Sequence, residues 1–83
     1  MTRVTLLTKG DCDLCEHAKA VLARISADSP EVVVDTVDLD SDAGRQLAER
    51  RGMAFPPAVL VDGEPFSYGR LSERRLRRAL AAP

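Results

Sequence analysis

The spacing of apolar residues changes several times along the chain, and each change marks an element. Val4-Thr5-Leu6-Leu7 is a short, β-prone apolar run, and residues 3–8 read as a buried strand. From Leu14 onward the spacing lengthens. Leu14, Ala18, Val21, Leu22 and Ile25 recur at helical intervals, which predicts one apolar face of an amphipathic helix over residues 13–27. Ala27-Asp28-Ser29-Pro30 closes that helix, because proline disfavours helical backbone in the residue before it. Val32-Val33-Val34-Asp35-Thr36-Val37 is β-branched and reads as a second strand. Strand, long helix, strand is a βαβ unit, so the two strands are expected to pair in parallel through a right-handed crossover.

The second half of the chain is marked by turn and cap residues. Asp38-Leu39-Asp40-Ser41-Asp42 offers N-caps for a second helix, with Ala43, Leu47 and Ala48 as its apolar face. Arg50 and Arg51 suit the negative end of that helix, and Gly52 is the expected residue just past it. Phe55-Pro56-Pro57 breaks the chain before Ala58-Val59-Leu60-Val61, a third strand. Asp62-Gly63 is the favoured pair for a type I′ hairpin, so Glu64-Pro65-Phe66-Ser67 should return antiparallel. Pro65 has no N–H for a ladder, which sends this fourth strand to the sheet edge. Ser72 caps the last helix, Leu71 and Leu76 are spaced for a hydrophobic staple, and Leu76, Ala79 and Leu80 are expected to face the core. The order is βαβαββα, an α/β fold.

Composition narrows the class. With 83 residues, 45% hydrophobic and 30% charged, the chain is expected to form one domain over residues 1–83 around an aliphatic core. A net charge of −1 gives no general case for a nucleic-acid partner. No apolar stretch reaches the ~18–20 residues that cross a bilayer, and Met1-Thr2-Arg3-Val4 runs into the first strand without a signal-peptide core. The expectation is a cytoplasmic monomer with no membrane partner.

The candidate chemistry lies in Cys12-Asp13-Leu14-Cys15, which contains both cysteines of the chain. The pair falls where the first strand gives way to the first helix, with Cys12 at or beside the N-cap. The unpaired N–H groups and partial positive charge of a helix N-terminus favour a thiolate there. Cys15 lies one turn further on, close enough to attack a disulfide formed on Cys12. A structural staple is a poor reading. A four-residue loop gains only about 2 kcal/mol from closure, and a reducing cytosol keeps thiols open. Redox or metal chemistry remains. Tetrahedral zinc needs four ligands, whereas the chain offers Cys12, Cys15 and His17, and on a helix His17 points away from both. That leaves a metal site shared between chains, or an inert pair, as the alternatives to a redox pair. His17 itself reads as a solvated helix residue.

Other features are less pointed. Arg70, Arg74, Arg75, Arg77 and Arg78 form a basic cluster. It reads as the solvated face opposite Leu76 and Leu80, with docking of an acidic partner as the alternative. Phe66 and Tyr68 either line a groove near Pro57 or pack at the edge.

The element order, the Cys-x-x-Cys at the first strand–helix junction and the proline opening the third strand together resemble the thioredoxin fold. More narrowly they resemble the glutaredoxin-like family. The matching stretches are Leu6-Leu7-Thr8-Lys9 leading into Cys12-Asp13-Leu14-Cys15-Glu16, then Pro57-Ala58-Val59-Leu60-Val61-Asp62-Gly63, then Gly69-Arg70-Leu71. The resemblance implies a four-stranded mixed sheet flanked by helices and a thiol–disulfide oxidoreductase acting in cell redox homeostasis. Cys12 would be the nucleophile and Cys15 the resolving cysteine. It places Lys9, Pro56, Pro57 and Gly69 on the substrate side, with Pro57 or Pro56 as the family's cis-proline. It implies no bound cofactor, a protein or low-molecular-weight disulfide as substrate, and an external thiol or a thioredoxin-reductase-type protein as reductant.

The chain departs from the glutaredoxin pattern at three places. Leu14 stands where a tyrosine helps to seat glutathione. Pro56 precedes the proline match and has no N–H to offer a substrate backbone. Ser67-Tyr68-Gly69-Arg70-Leu71-Ser72 replaces the Gly-Gly-x-Asp-Asp segment that grips a glutathione carboxylate. Asp11, Asp13 and Glu16 also crowd Cys12 with like charge, which opposes the thiolate. A less acidic nucleophile and a more reducing couple are expected. The alternative function is a non-enzymatic binding or adaptor module with a redox-sensitive cysteine pair.

Overall fold

Val4 and Leu6 of the first strand point to one side of the sheet and Leu7 to the other, and all three are buried. This explains why that strand is a continuous apolar run. Both of its faces are covered, so there is no solvent side to alternate with. In the computed structural model, which describes residues 1–53 and 55–81, the elements run β1 (Thr2–Thr8), α1 (Asp13–Asp28), β2 (Val32–Asp38), α2 (Asp42–Arg51), β3 (Ala58–Val61), β4 (Glu64–Tyr68) and α3 (Glu73–Ala81). The βαβαββα order read from the sequence holds, with boundaries displaced by a residue or so.

The strand order across the sheet is β2-β1-β3-β4. β1 and β2 pair in parallel from Thr2↔Val32 to Thr8↔Asp38. β3 runs antiparallel to β1, with Leu7 opposite Ala58, and antiparallel to β4, with Ala58 opposite Tyr68. The β3–β4 ladder is irregular between Val59 and Leu60. Asp62 (φ 49°) and Gly63 (φ 83°) are both left-handed, as a type I′ turn requires. β4 lies at the edge, where Pro65 leaves no ladder donor missing.

Helices α1 and α3 cover one face of the sheet and α2 the other. The first face buries Val4, Leu6, Val59, Ala18, Val21, Leu22, Ile25, Leu71 and Leu76 in one cluster. The second packs Leu7, Ala58, Leu60 and Met53 against Leu39, Leu47 and Ala48. Cap chemistry fixes the helix ends. Ser41 Oγ accepts the Gly44 N–H at 3.0 Å, and Gly52 closes α2 at φ 67°. Ser72 Oγ accepts the Arg75 N–H at 3.2 Å, with Leu71 and Leu76 both buried as the staple predicts.

Three expectations about the core need correction, the first at Ala43, which is exposed on α2 while its neighbour Gly44 takes the buried place against the end of β2. Leu14 does not belong to the buried face of α1. It is 39% exposed, and Cys15 takes that place in the core. Ala79 is likewise exposed, while Leu80 packs against the core from its margin. Among the described residues no helix is long and apolar enough to cross a membrane.

Candidate functional site

The site is built where β1 ends and the chain turns into α1. Asp11 takes a left-handed conformation (φ 54°), which a short polar side chain tolerates better than most. The turn delivers Cys12 to the N-cap in extended conformation. Cys12 therefore occupies the position a serine or aspartate usually fills. Its Sγ accepts the Cys15 N–H at 3.1 Å, and its carbonyl accepts the Glu16 N–H at 3.1 Å. The cap hydrogen bond, strengthened by the helix dipole, is the interaction that would favour negative charge on this sulfur.

Cys12 and Cys15 lie at disulfide-bonding distance, with their Cα atoms 5.2 Å apart, inside the range that such bonds require. Their surroundings differ. Cys12 is half-buried at the surface, whereas Cys15 is fully buried against α1's core face. An external disulfide has access to the first sulfur and not to the second.

The other candidates come to the same end of the sheet. The row Leu7↔Ala58↔Tyr68 sets the start of β3 and the end of β4 beside the end of β1. Pro56 and Pro57 thus lie at the dithiol end. The cis peptide bond joins Pro56 to Pro57, which settles the choice between them in favour of Pro57. The Pro57 carbonyl accepts the Gly69 N–H at 2.8 Å, tying the exit of β4 to the proline. Lys9 Nζ stands 3.9 Å from Asp40 Oδ1, so its charge is shared with a carboxylate. Asp11, Asp13 and Glu16 are all exposed, and among the described residues only Glu16 has a cation, Lys19, at 2.9 Å.

One feature of this end was not legible as a pair. Phe55 and Tyr68 are each 66% exposed, with ring centroids 6.4 Å apart. Phe55 sits in a proline-broken loop without periodicity, and only the β3–β4 register brings Tyr68 beside it. Phe66 instead packs on the core. His17 is half-buried and not simply solvated. Its Nδ1 is buried without a hydrogen-bond partner among the described residues, and the ring lines a cleft with Arg70, Ser72 and Arg74. Among the described residues no group of three or more His, Cys, Asp or Glu side chains converges as a metal site would require.

Displaced titration occurs away from the cysteines, where α3 meets α1. Glu73 is held below the usual carboxylate range by hydrogen bonds from Arg24 and then Arg77. Arg24 Nη2 reaches Oε1 at 2.7 Å and Arg77 Nη2 reaches Oε2 at 2.9 Å.

Comparison with known proteins places this geometry. A family model described as the glutaredoxin-like domain (DUF836) matches residues 3–81. Uncharacterised proteins Mb0520 of Mycobacterium bovis and Rv0508 of Mycobacterium tuberculosis are each 30% identical over 80 residues, covering 95% of this chain and 82% of theirs. Among solved structures, the NTD_N/C domain of the alkylhydroperoxide reductase AhpF from Enterococcus faecalis superposes with a TM-score of 0.82 at 25% identity, over 96% of this chain and 38% of that one. Oxidised thioredoxin O2 of Arabidopsis thaliana gives 0.75 at 19% identity, over 96% of this chain and 72% of that one. A mutant thioredoxin from Halobacterium salinarum gives 0.77 at 20% identity, over 94% of this chain and 70% of that one. The fold is thioredoxin-like.

Proposed function

This chain belongs to the glutaredoxin-like family, and from that premise and the geometry of the pair we propose that it is a thiol–disulfide oxidoreductase. The observation that carries the proposal is the asymmetry of two cysteines at bonding distance: Cys12 at the surface on a helix N-cap, Cys15 buried one turn behind. A dithiol of this form has one sulfur built to attack and one built to resolve.

In the reduced protein the Cys12 thiolate attacks one sulfur of a substrate disulfide. A Cys12–substrate disulfide forms, the substrate's S–S bond breaks, and the departing thiolate takes a proton from water. Cys15, deprotonated, then attacks Cys12 Sγ. The Cys12–Cys15 disulfide forms and the second substrate thiol is released. Two electrons have passed from the dithiol to the substrate, and an external thiol reductant returns them. No bound cofactor enters any step. Pro57 and Pro56 line the substrate's approach, Gly69 fixes the Pro57 carbonyl, and Lys9 supplies a partly neutralised cation at the rim. The proposed setting is the cytoplasm, where the pair is held reduced between turnovers.

Substitution separates the roles. Cys12→Ser should abolish reduction of a small disulfide in a coupled assay. Cys15→Ser should accumulate a mixed disulfide on Cys12, visible as a mass increase of one substrate thiol that dithiothreitol removes. Equal activity in the two variants would reject the mechanism. An accessible pair that reduces no disulfide would favour a binding module instead.

A further inference from the structure

Resting on that reading of Cys12 and Cys15, we infer that the site selects disulfides with a cationic and apolar neighbourhood and works poorly on anionic ones. Three features of the dithiol end carry this. The first is charge. Asp11 and Asp13 flank Cys12 directly, their Cα atoms ~3.8 Å from its own, and both are exposed without an ion pair among the described residues. The nearby cations are already engaged, Lys9 by Asp40 and Lys19 by Glu16. Arg70 and Arg74 line a cleft with His17 at the start of α3, so their charge lies beyond Gly69 and not directly beside Cys12 in the chain. The charges next to Cys12 in the chain are therefore the two carboxylates of Asp11 and Asp13, unpaired among the described residues, and a substrate group at this sulfur meets them first.

The second feature is a shortage of backbone hydrogen bonds. Neither Pro56 nor Pro57 has an N–H, and the Pro57 carbonyl already receives the Gly69 N–H. An extended peptide laid along this segment has few backbone groups left to pair with. The third is the exposed aromatic pair, Phe55 and Tyr68, at the same end of the sheet. Aromatic surface offers contact area with little entropy to lose, and its negative faces also accept cations. A substrate that cannot be held by strand pairing is held here by an apolar flank and a positive charge. The occupant that fits is a protein disulfide whose cysteine has a basic residue on one side and an aliphatic or aromatic one on the other.

The test uses symmetric disulfides of three short peptides, Lys-Cys-Leu, Glu-Cys-Leu and Lys-Cys-Ser, reduced by the full chain with dithiothreitol as the electron source. At low salt kcat/KM should fall about tenfold when Lys is exchanged for Glu, and that ratio should shrink towards one at high salt. In the double variant D11N/D13N the Lys-to-Glu ratio should narrow several-fold. Because both peptides meet the same nucleophile, a general change in Cys12 reactivity cancels from it. Exchange of Leu for Ser should lower kcat/KM a few-fold, and F55S/Y68S should remove that difference. A salt-independent ratio near one, or preference for the Glu peptide, overturns the inference and leaves the oxidoreductase reading standing. If none of the three peptides is reduced, that reading itself fails.

Discussion

Asp13 is a favourable residue for the helix and an unfavourable one for the sulfur beside it. A carboxylate in the first turn of α1 is favoured by the dipole, yet it opposes a thiolate on Cys12. Glu73 has no such conflict. It opens α3, so its charge suits the dipole, and it also receives both Arg24 and Arg77, the latter reaching Asp28 at 2.9 Å as well. Its carboxyl titrates below the ordinary range because those hydrogen bonds exist only in the folded chain. The sign of the consequence follows by linkage. The contribution is complete above the unfolded carboxylate's pKa and is lost as pH falls through the lower, folded one. Glu73→Gln should therefore be less stable than the wild type at neutral pH, with the gap closing in acid. Urea midpoints measured from pH 7 downwards check this, and a gap unchanged across the carboxylate range would show that Glu73 acts through packing alone.

At the scale of elements, Gly44 shows how closely α2 sits on the sheet. A Cβ built there would lie 1.9 Å from the Asp38 carbonyl oxygen, a backbone atom at the end of β2. Alanine usually stabilises a helix interior by about 1 kcal/mol relative to glycine. Here the clash wins, and Gly44→Ala should destabilise by about 1–3 kcal/mol, read as a lower midpoint in chemical denaturation. Stabilisation would mean that α2 slides freely on the strand end. Most elements were legible because each carries its own local signal: β-branched runs for strands, Ser41 and Ser72 as caps, Asp62-Gly63 as the turn. What was illegible is rotation. Leu14 and Cys15 lie four and three residues before Ala18, so both fit a helical stripe, and only the docking of α1 on the sheet puts Cys15 inside. Ala79 departs from expectation for the same reason, since α3 turns Leu76 and Leu80 inward and leaves it out. The candidate dithiol was legible because its two residues are local in sequence. The Phe55–Tyr68 pair was not, because a β-ladder assembles it.

Across the whole molecule, the dithiol is attached to the core at a single point. The two apolar clusters on either face of the sheet account for the packing, and of the proposed redox residues only Cys15 is fully buried beside them as a side chain on α1. Cys12, its acidic neighbours and the aromatic pair lie outside. Two consequences should then separate experimentally. Opening the Cys12–Cys15 bond releases a loop of sequence separation 3, so loop entropy ties only about 2 kcal/mol to the redox state. Truncating a buried leucine such as Leu22, which is 1% exposed between α1 and the sheet, removes packing worth about 2–5 kcal/mol. In a domain this small that is a large share of the total, since small domains fold with only about 5–15 kcal/mol in hand. Denaturation of the wild type with and without dithiothreitol, beside Leu22→Ala under both conditions, should give a small redox shift and a larger packing loss that add without coupling. The reason is the arrangement itself: a fold held together away from its sulfurs stays folded while they cycle between thiol and disulfide. A reduced form that unfolds outright would mean instead that the pair is part of the scaffold, and would count against its use as a turnover site.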